Sequence, residues 1–266
     1  SSFRVELGTR QGGLSSPFLF NLYYKDLIDV LSDKKCGINI DNHSYNVFCY
    51  ADDILLASRT PTGLQCLIET SCNVINEQGL RFNPSKTECM LFGPNPFKEL
   101  PTWTLGGATL RMSDGMTYLG TGLASDSGKF HVNARTKSAY RAFYALQNAG
   151  LHFNGCSPEV SAHICSMGVQ TILLYGCEAI NMNSSQAKRL KVTQGNLVKA
   201  FLGLRRSSRT SPLLQSLRLK SPAQYINMQG FNLLHSCYTF YSCATDFYSH
   251  LLSKCSPSDR KGTLID

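Results

Sequence analysis

Two adjacent carboxylates, Asp52 and Asp53, are the residues of this chain best suited to chemistry. They lie between two apolar runs, residues 47–49 and 54–57, that are typical of strands. The pattern predicts a hairpin with acids at its tip. Carboxylates on an otherwise buried hairpin are costly unless a positive charge neutralises them, so they indicate a cation site. Hard oxygen ligands suit Mg²⁺ or Mn²⁺, and those metals suggest phosphoryl transfer.

A polar hairpin turn is the alternative interpretation of the same pair, because Asp is common in turns. Side chains of neighbouring strand residues point to opposite faces, so only one acid is the principal ligand unless the turn redirects the other. Nucleotidyl transfer by two metal ions roughly 3.5–4 Å apart also needs a carboxylate from another strand. The remaining candidates are more simply turn, surface-helix or exposed-strand residues: Asp26, Asp29, Asp41 and Glu88.

The elements around the acids predict an α+β first half. Ser15 or Ser16 caps a helix begun by Pro17, and Thr60 caps a second helix that Pro61 begins and Gly79 ends. Short strands are expected at 36–41, 43–49, 80–82 and 88–92, with a hairpin at 103–112 that turns at 106–107. From about residue 129 onward the periodicity is helical, near 131–149, 158–180, 186–203 and 222–252.

The charge of the chain is uneven. Residues 1–100 carry nine Lys and Arg against eleven Asp and Glu, whereas residues 101–266 carry seventeen against seven. No acid lies between Glu178 and Asp246. A basic face of this kind is typical of a surface that binds a polyanion, although a solvated helical face would look the same.

The eleven cysteines are an odd number and include no C-x-x-C pair. They predict a reduced intracellular protein that uses Cys as a small apolar residue, without zinc or disulfides. No stretch reads as long and apolar enough to span a bilayer, so no membrane is expected. The first residues, which contain no initiator Met, suggest a piece of a longer chain.

Four sequence blocks resemble the reverse transcriptases of non-LTR (LINE-type) retrotransposons, from motif B to motif E of the palm. They occur in the family's order: 10–21 (RQGGLSSPFLFN), 50–53 (YADD), 79–87 (GLRFNPSKT) and 118–120 (YLG). The resemblance implies an α+β fold: part of a right-hand polymerase palm, an antiparallel sheet with helices, over residues 1–123, and an all-helical thumb and connection over 124–266. It also implies an RNA-directed DNA polymerase that acts on an RNA template, a DNA primer and dNTP, with Mg²⁺ or Mn²⁺ as cofactor and the nucleus as its site of action.

The resemblance assigns roles to single positions. Asp52 matches the metal-binding aspartate, Asp53 its less direct neighbour, and Lys86 the general acid that protonates pyrophosphate, although Lys86 also reads as a solvated loop lysine. The other matched sets are the nucleotide and template residues Arg10, Gln11, Gly12, Tyr50 and Ala51, the primer grip Tyr118, Leu119 and Gly120, and the phosphate contacts Lys188, Arg189, Lys191, Arg205 and Arg206. Tyr118 would equally fit a tyrosine that packs on the sheet.

The family's motif A aspartate and its fingers should precede residue 10, and no aspartate lies in residues 1–9. We therefore expect the chain to need the missing N-terminal fingers and palm portion of a parent polyprotein, and to be inactive alone. The alternative is a decayed or domesticated fragment that binds nucleic acid without catalysis. A group II intron or retron-type enzyme is a third, less favoured interpretation.

Overall fold

A computed structural model of the chain describes residues 13–40, 43–93, 99–126, 128–150 and 156–240. The chain divides into two compact units, Ser1–Leu119 and Gly120–Asp266. The first unit mixes helices with short strands, and the second, over its described residues, is helical except for one strand at its start. The fold is therefore α+β, as the sequence predicted.

The described residues of the first unit contain two long helices and nine short strands. The elements are α1 (Ser16–Ser32), β1 (Ile38–Ile40), β2 (His43–Tyr45), β3 (Val47–Tyr50), β4 (Asp53–Leu56), α2 (Pro61–Glu77), the 3-10 turn Pro84–Lys86, β5 (Glu88–Cys89), β6 (Thr104–Leu105), β7 (Ala108–Thr109), β8 (Arg111–Met112) and β9 (Gly115–Tyr118). The helices α1 and α2 pack on each other, and the pairs β1–β2, β3–β4 and β6–β7 are antiparallel, whereas β5–β8 is parallel.

Local signals account for both helices of this unit. The Thr60 hydroxyl accepts a hydrogen bond from the backbone N–H of Gly63, and Pro61 occupies the first turn of α2, as the sequence predicted. Gly79 follows the end of α2 with a φ of 76°, the left-handed conformation that glycine adopts at low cost. In α1, Pro17 lies in the first turn, but the side chain of Ser15 makes no capping hydrogen bond.

The β3–β4 hairpin is buried on one face only. Alternate residues Val47 and Cys49 pack against a core of α1 and α2 residues, whereas Phe48 and Tyr50 are 42% and 65% exposed. The expectation of an otherwise buried hairpin is therefore wrong for one of its faces. The buried members of that core are Tyr24, Leu27, Leu31, Leu67 and Ile75.

Several strands differ from the sequence prediction. Residues 80–82 form no strand, because the backbone leaves α2 through Gly79 and continues into the 3-10 turn Pro84–Lys86. The strand expected at 88–92 is only the two residues of β5, which matches the two-residue length of its partner β8. The run expected at 43–49 is two strands, since Asn46 interrupts it.

The described residues of the second unit form a helical bundle with one hydrophobic core. Its buried residues include Val132, Phe143, Leu173, Leu190 and Leu197. The elements are β10 (Thr121–Ala124), α3 (Lys129–Asn148), α4 (Pro158–Ile164), the π-helical turn Cys165–Gln170, α5 (Thr171–Leu174), the 3-10 turn Cys177–Ala179, α6 (Ser184–Phe201), α7 (Thr210–Ser216) and α8 (Pro222–Phe240). The short helix α7 was not predicted.

The helical run Pro158–Ala179 is long and apolar enough to cross a bilayer by length and composition alone, with a mean hydropathy of 1.3 over its most apolar 18 residues. The prediction that no stretch would suffice is wrong on that measure. Half of this window is buried inside the unit, and Cys165, Val169 and Leu174 lie in the helical core. Such a composition is also what the central helix of a globular unit requires.

The eight cysteines whose side chains the structure describes are all free thiols. Burial raises the pKa of Cys165 and of Cys177 to about 12. These two thiols therefore stay protonated at neutral pH, as expected of cysteines that pack as small apolar residues.

Candidate active site and nucleic-acid interface

The two acids lie at the tip of the β3–β4 hairpin. Tyr50 pairs with Asp53, so Ala51 and Asp52 form a two-residue turn. Ala51 has a φ of 50°, a left-handed conformation that costs a non-glycine residue about 1–2 kcal/mol. Because Asp52 belongs to the turn and Asp53 to β4, strand alternation does not separate this pair. Both residues are exposed, so both carboxylates are accessible to an ion from solvent.

A buried asparagine holds the base of this hairpin. Asn46 is 1% exposed, and its Nδ2 donates to the carbonyl oxygens of Leu31 at 2.9 Å and Lys34 at 2.6 Å. Its Oδ1 accepts from the Ser44 hydroxyl at 2.7 Å. Its own carbonyl accepts from the backbone N–H of Ala57 at 2.9 Å. Asn46 thus joins the end of α1 to both strands that carry the acids.

Two tyrosines lie beside the hairpin, each near one acid. Burial raises the pKa of the Tyr24 phenol on α1, and the charge of Asp52 adds to the increase. The hydroxyl of Tyr118, at the end of β9, donates to the carbonyl oxygen of Phe48 at 3.4 Å. Burial also raises the pKa of Tyr118, with a smaller effect from Asp53. Both phenols therefore stay protonated at neutral pH and remain hydrogen-bond donors.

The other predicted site residues are only partly joined to this tip. Lys86 is exposed at the end of the turn Pro84–Lys86. In the part of the chain that the structure describes, Lys86 forms no salt bridge with either aspartate, so its catalytic role stays a prediction. Three predicted nucleotide and template residues lie outside the described residues: Arg10, Gln11 and Gly12.

The turn that follows β9 consists of two residues with left-handed backbones. Leu119 has a φ of 48° and Gly120 a φ of 76°. In the second unit, a Cβ on Gly120 would lie 3.1 Å from the ring of Tyr175, so this position favours glycine for space as well as for φ.

The imidazole of His131 accepts a hydrogen bond from the backbone N–H of Gly122 at 2.9 Å, and its other nitrogen lies 2.9 Å from the carbonyl oxygen of Tyr175.

The acidic tip fits a divalent cation in ligand type but is incomplete as a metal site. Asp52 and Asp53 offer the hard carboxylate oxygens that Mg²⁺ and Mn²⁺ prefer. No cluster of three or more His, Cys, Asp or Glu residues that could hold a metal ion occurs among the described residues. A two-metal site built on this tip would therefore take further ligands from outside the residues described.

The predicted phosphate contacts of the second unit lie on α6 and on the turn that follows it. Lys188 and Arg189 line a shallow groove of about 440 Å³ between α3 and α6, together with hydroxyl-bearing residues such as Thr136 and Tyr140 of α3. No acidic residue lines this groove. The remaining three contacts are exposed: Lys191, Arg205 and Arg206. Cations beside neutral donors suit phosphate oxygens.

Comparison with known proteins identifies the segment that carries the acidic hairpin. The family described as "Reverse transcriptase (RNA-dependent DNA polymerase)" matches residues 1–123. Residues 1–123 are therefore similar to reverse transcriptases. The chain is also 34% identical over 79 residues to the "Retrovirus-related Pol polyprotein from type-2 retrotransposable element R2DM" of Drosophila melanogaster, which covers 30% of this chain and 7% of that protein.

A second relative extends the similarity past the reverse transcriptase segment. The chain is 24% identical over 179 residues to the "Retrovirus-related Pol polyprotein from type-1 retrotransposable element R2" of Popillia japonica, covering 55% of this chain and 29% of that protein. This alignment is longer than the family match, so part of it lies beyond residue 123. The relatives confirm the resemblance to a LINE-type reverse transcriptase, and the chain spans less than a third of the length of either.

The residues that support these surfaces were missed by sequence reasoning. Asn46 and Tyr24 contact the hairpin of the reverse transcriptase segment, and His131 and Lys199 are buried polar residues of the second unit. The sequence offers one signal for such residues, a polar residue within an apolar pattern. An exposed polar residue gives the same signal. The motifs therefore identified the exposed groups and not their supports.

Proposed function

We propose that residues 1–123 form part of the palm of an RNA-directed DNA polymerase and that residues 124–266 contribute its helical thumb. The observation that carries the proposal is a pair of exposed carboxylates at a hairpin tip within a segment that is similar to reverse transcriptases. The reaction is attack of a primer 3′-hydroxyl on the α-phosphate of a dNTP. Divalent cations, when bound at the tip, would supply activation of the hydroxyl and charge stabilisation of the triphosphate.

The roles of the chain's own residues follow from that reaction. Asp52 holds the cation, Asp53 assists it, and Tyr50 and Ala51 lie beside the primer end. Lys86 gives a proton to the departing pyrophosphate. The primer strand is held by Tyr118, Leu119 and Gly120, and the template and nucleotide are contacted by Arg10, Gln11 and Gly12.

The second unit holds the template–primer duplex through phosphates. Lys188, Arg189 and Lys191 on α6, with Arg205 and Arg206 on the next turn, contact the sugar–phosphate backbone. Binding of this kind is independent of sequence and weakens as salt rises. The absence of acids between Glu178 and Asp246 supports this role, because no carboxylate there repels a phosphate.

Binding of Mn²⁺ tests the acidic tip directly. In an amide-resolved NMR titration of the 266-residue chain, Mn²⁺ should broaden the signals around residues 50–54 before others. The broadening should vanish when Asp52→Asn and Asp53→Asn are combined. Asp26→Asn, which removes an exposed carboxylate from α1, is the matched control and should leave the broadening at the tip unchanged.

Equal broadening around Asp26 and Asp29, or broadening at the tip that survives loss of both of its acids, would refute the metal site. Binding of an RNA–DNA duplex, followed by fluorescence anisotropy over a range of KCl concentrations, tests the second unit separately. Duplex binding without Mn²⁺ selectivity at the tip would favour the alternative of a nucleic-acid-binding fragment without catalysis.

A further inference from the structure

A buried lysine reaches the turn that carries Arg205 and Arg206. Lys199 lies in the last turn of α6 and is 6% exposed. Its Nζ donates a hydrogen bond to the carbonyl oxygen of Arg206 at 2.9 Å. Both arginine side chains are exposed, so the lysine holds the backbone of the turn and leaves the guanidinium groups available.

The same turn is fixed at two further points. The backbone N–H of Leu204 donates to the carbonyl of Lys199 at 2.8 Å, and that of Gly203 donates to Ala200 at 3.3 Å. With Gly203 at a φ of 65°, these bonds form a Schellman motif that ends α6. The N–H of Ser208 then donates to the carbonyl of Arg205 at 3.0 Å, which closes a turn around Arg206.

The start of α7 also lies against α6. A Cβ on Gly195 would come within 2.7 Å of the Thr210 side chain. The segment between Gly203 and Thr210 therefore runs back along α6. Along α6, Lys199 lies between Gly195, on which Thr210 packs, and the Schellman motif at Gly203. Its hydrogen bond ties the middle of the segment.

Packing alone does not explain a lysine at this position. The neighbouring residues Val198 and Phe201 are buried members of the helical core, where an apolar side chain would pack without the cost of removing an ammonium group from water. A cation in the last turn of a helix gains a modest interaction with the helix dipole, which an exposed lysine would gain as well. The bond to Arg206 is the contact that distinguishes Lys199 from such a lysine.

We propose that Lys199 is a positioning residue that holds Arg205 and Arg206 in place to contact nucleic-acid phosphates. The proposal rests on the nucleic-acid binding of the second unit proposed above. Without the hydrogen bond from Lys199, the turn would keep both charges, but binding would have to immobilise its backbone and the two arginine side chains. That loss of conformational entropy weakens binding without removing a phosphate contact. Lys199 itself is buried and contacts no phosphate.

Trypsin digestion of the full chain tests the tether without nucleic acid. In Lys199→Met, cleavage after Arg205 and Arg206, identified by mass spectrometry, should be several-fold faster than in the wild type. Lys35→Met, an exposed site in the first unit, removes the same charge and should leave that rate unchanged. Cleavage of the turn at the wild-type rate in Lys199→Met, or in Lys199→Leu if the methionine variant does not fold, would overturn the tether.

Salt-dependent binding to an RNA–DNA duplex tests the positioning role. We expect Lys199→Met to weaken binding about five-fold. The slope of the logarithm of the binding constant against that of the salt concentration should not change, because the variant loses the ordering of the turn but no phosphate contact. Arg205→Ala with Arg206→Ala should reduce the slope by about two, at roughly 0.9 per phosphate contact on a duplex. In that double-alanine background, Lys199→Met should have no further effect.

The failures of the two proposals are distinguishable. A wild-type chain that does not bind the duplex refutes the nucleic-acid function, whatever the trypsin result. A wild type that binds, with a Lys199→Met variant that weakens binding equally in both backgrounds, shows a merely structural role and refutes the positioning proposal. A slope that falls by about one in Lys199→Met would make Lys199 itself a phosphate contact, which also refutes it.

Discussion

Replacing Asn46 should destabilise the first unit, because this one side chain forms hydrogen bonds with Leu31, Lys34 and Ser44. Asn46→Ala leaves the carbonyl oxygens of Leu31 and Lys34 without the donors that lie 2.9 and 2.6 Å away. The Leu31 carbonyl keeps a hydrogen bond from the backbone N–H of Lys34 at 3.2 Å, whereas the Lys34 carbonyl loses its donor. A buried polar group that loses its partner costs about 1–3 kcal/mol, so we expect a loss of about 1–3 kcal/mol in the free energy of unfolding. Asn46→Asp keeps the shape of the side chain and the acceptor for Ser44 but removes both donors. It should therefore lose at least as much without a cavity.

The chain's one tryptophan makes the measurement specific to this unit. Trp103 is 3% exposed, and its Nε1 donates to the carbonyl oxygen of Pro61 at 2.9 Å. Its fluorescence therefore follows unfolding of the first unit by urea. With a slope of about 1–3 kcal/mol per molar urea, the expected loss moves the midpoint down by about 1 M. Asn73→Ala, at an exposed position of α2, is the control and should not lower the midpoint.

Midpoints for Asn46→Ala and Asn46→Asp that both coincide with the wild type would refute the reasoning, because the carbonyls would then have found other donors at no cost. A lowered midpoint in Asn73→Ala of the same size would show a general sensitivity of the unit rather than a support for the hairpin.

Two further perturbations test the supports of each unit. Burial lowers the pKa of His131 below its ordinary 6.5, so below about pH 6.5 the unfolded chain binds this proton more readily than the folded chain. The second unit should be fully stable above that pH and lose up to about 1.4 kcal/mol per pH unit below it, until the folded pKa is reached. Urea unfolding followed by far-UV circular dichroism between pH 7.5 and 5 measures this slope. His131→Asn should flatten it and His163→Asn, at an exposed site, should not; an unchanged slope in His131→Asn contradicts the assignment. Gly63→Ala would place a Cβ 2.4 Å from the carbonyl oxygen of Cys36, so α2 or the backbone at Cys36 must shift, at a cost of about 1–3 kcal/mol. Gly168→Ala, whose Cβ would come no closer than 3.5 Å to a neighbour, is the matched control; equal stability of the two variants would show that the backbone at Cys36 yields freely.

Signals that act within a few residues allowed the most accurate predictions. The cap at Thr60, the proline after it and the glycine beyond the helix define α2 from sequence alone, because each acts on the backbone next to it. The acidic hairpin was predictable for the same reason, since strand-forming runs flank both acids.

Predictions that depended on tertiary packing were less accurate. Whether residues 80–82 become a strand depends on a partner strand, which the sequence does not reveal, and no such pairing forms there. The helix expected at 158–180 is interrupted by the π-helical turn Cys165–Gln170, a change of backbone that leaves the apolar pattern intact. The short helix α7 has too few residues for a periodicity to be read.

The chemistry-bearing residues and their supports differ in how sequence can detect them. The acids of the hairpin tip and the arginines after α6 are exposed, and their types and spacing can be recognised in the sequence. A buried polar side chain supports each site by donating to backbone carbonyls, Asn46 to two at the end of α1 and Lys199 to one in the turn after α6. Such a donor satisfies groups that helices and strands leave open at their ends, so it lies where a turn passes another element. The partners are 15 and 12 residues away for Asn46 and seven for Lys199. Its value therefore lies in a tertiary contact, and only a three-dimensional structure reveals which polar residue has one. Mutations at these supports should accordingly impair each exposed site without altering any residue of its motif.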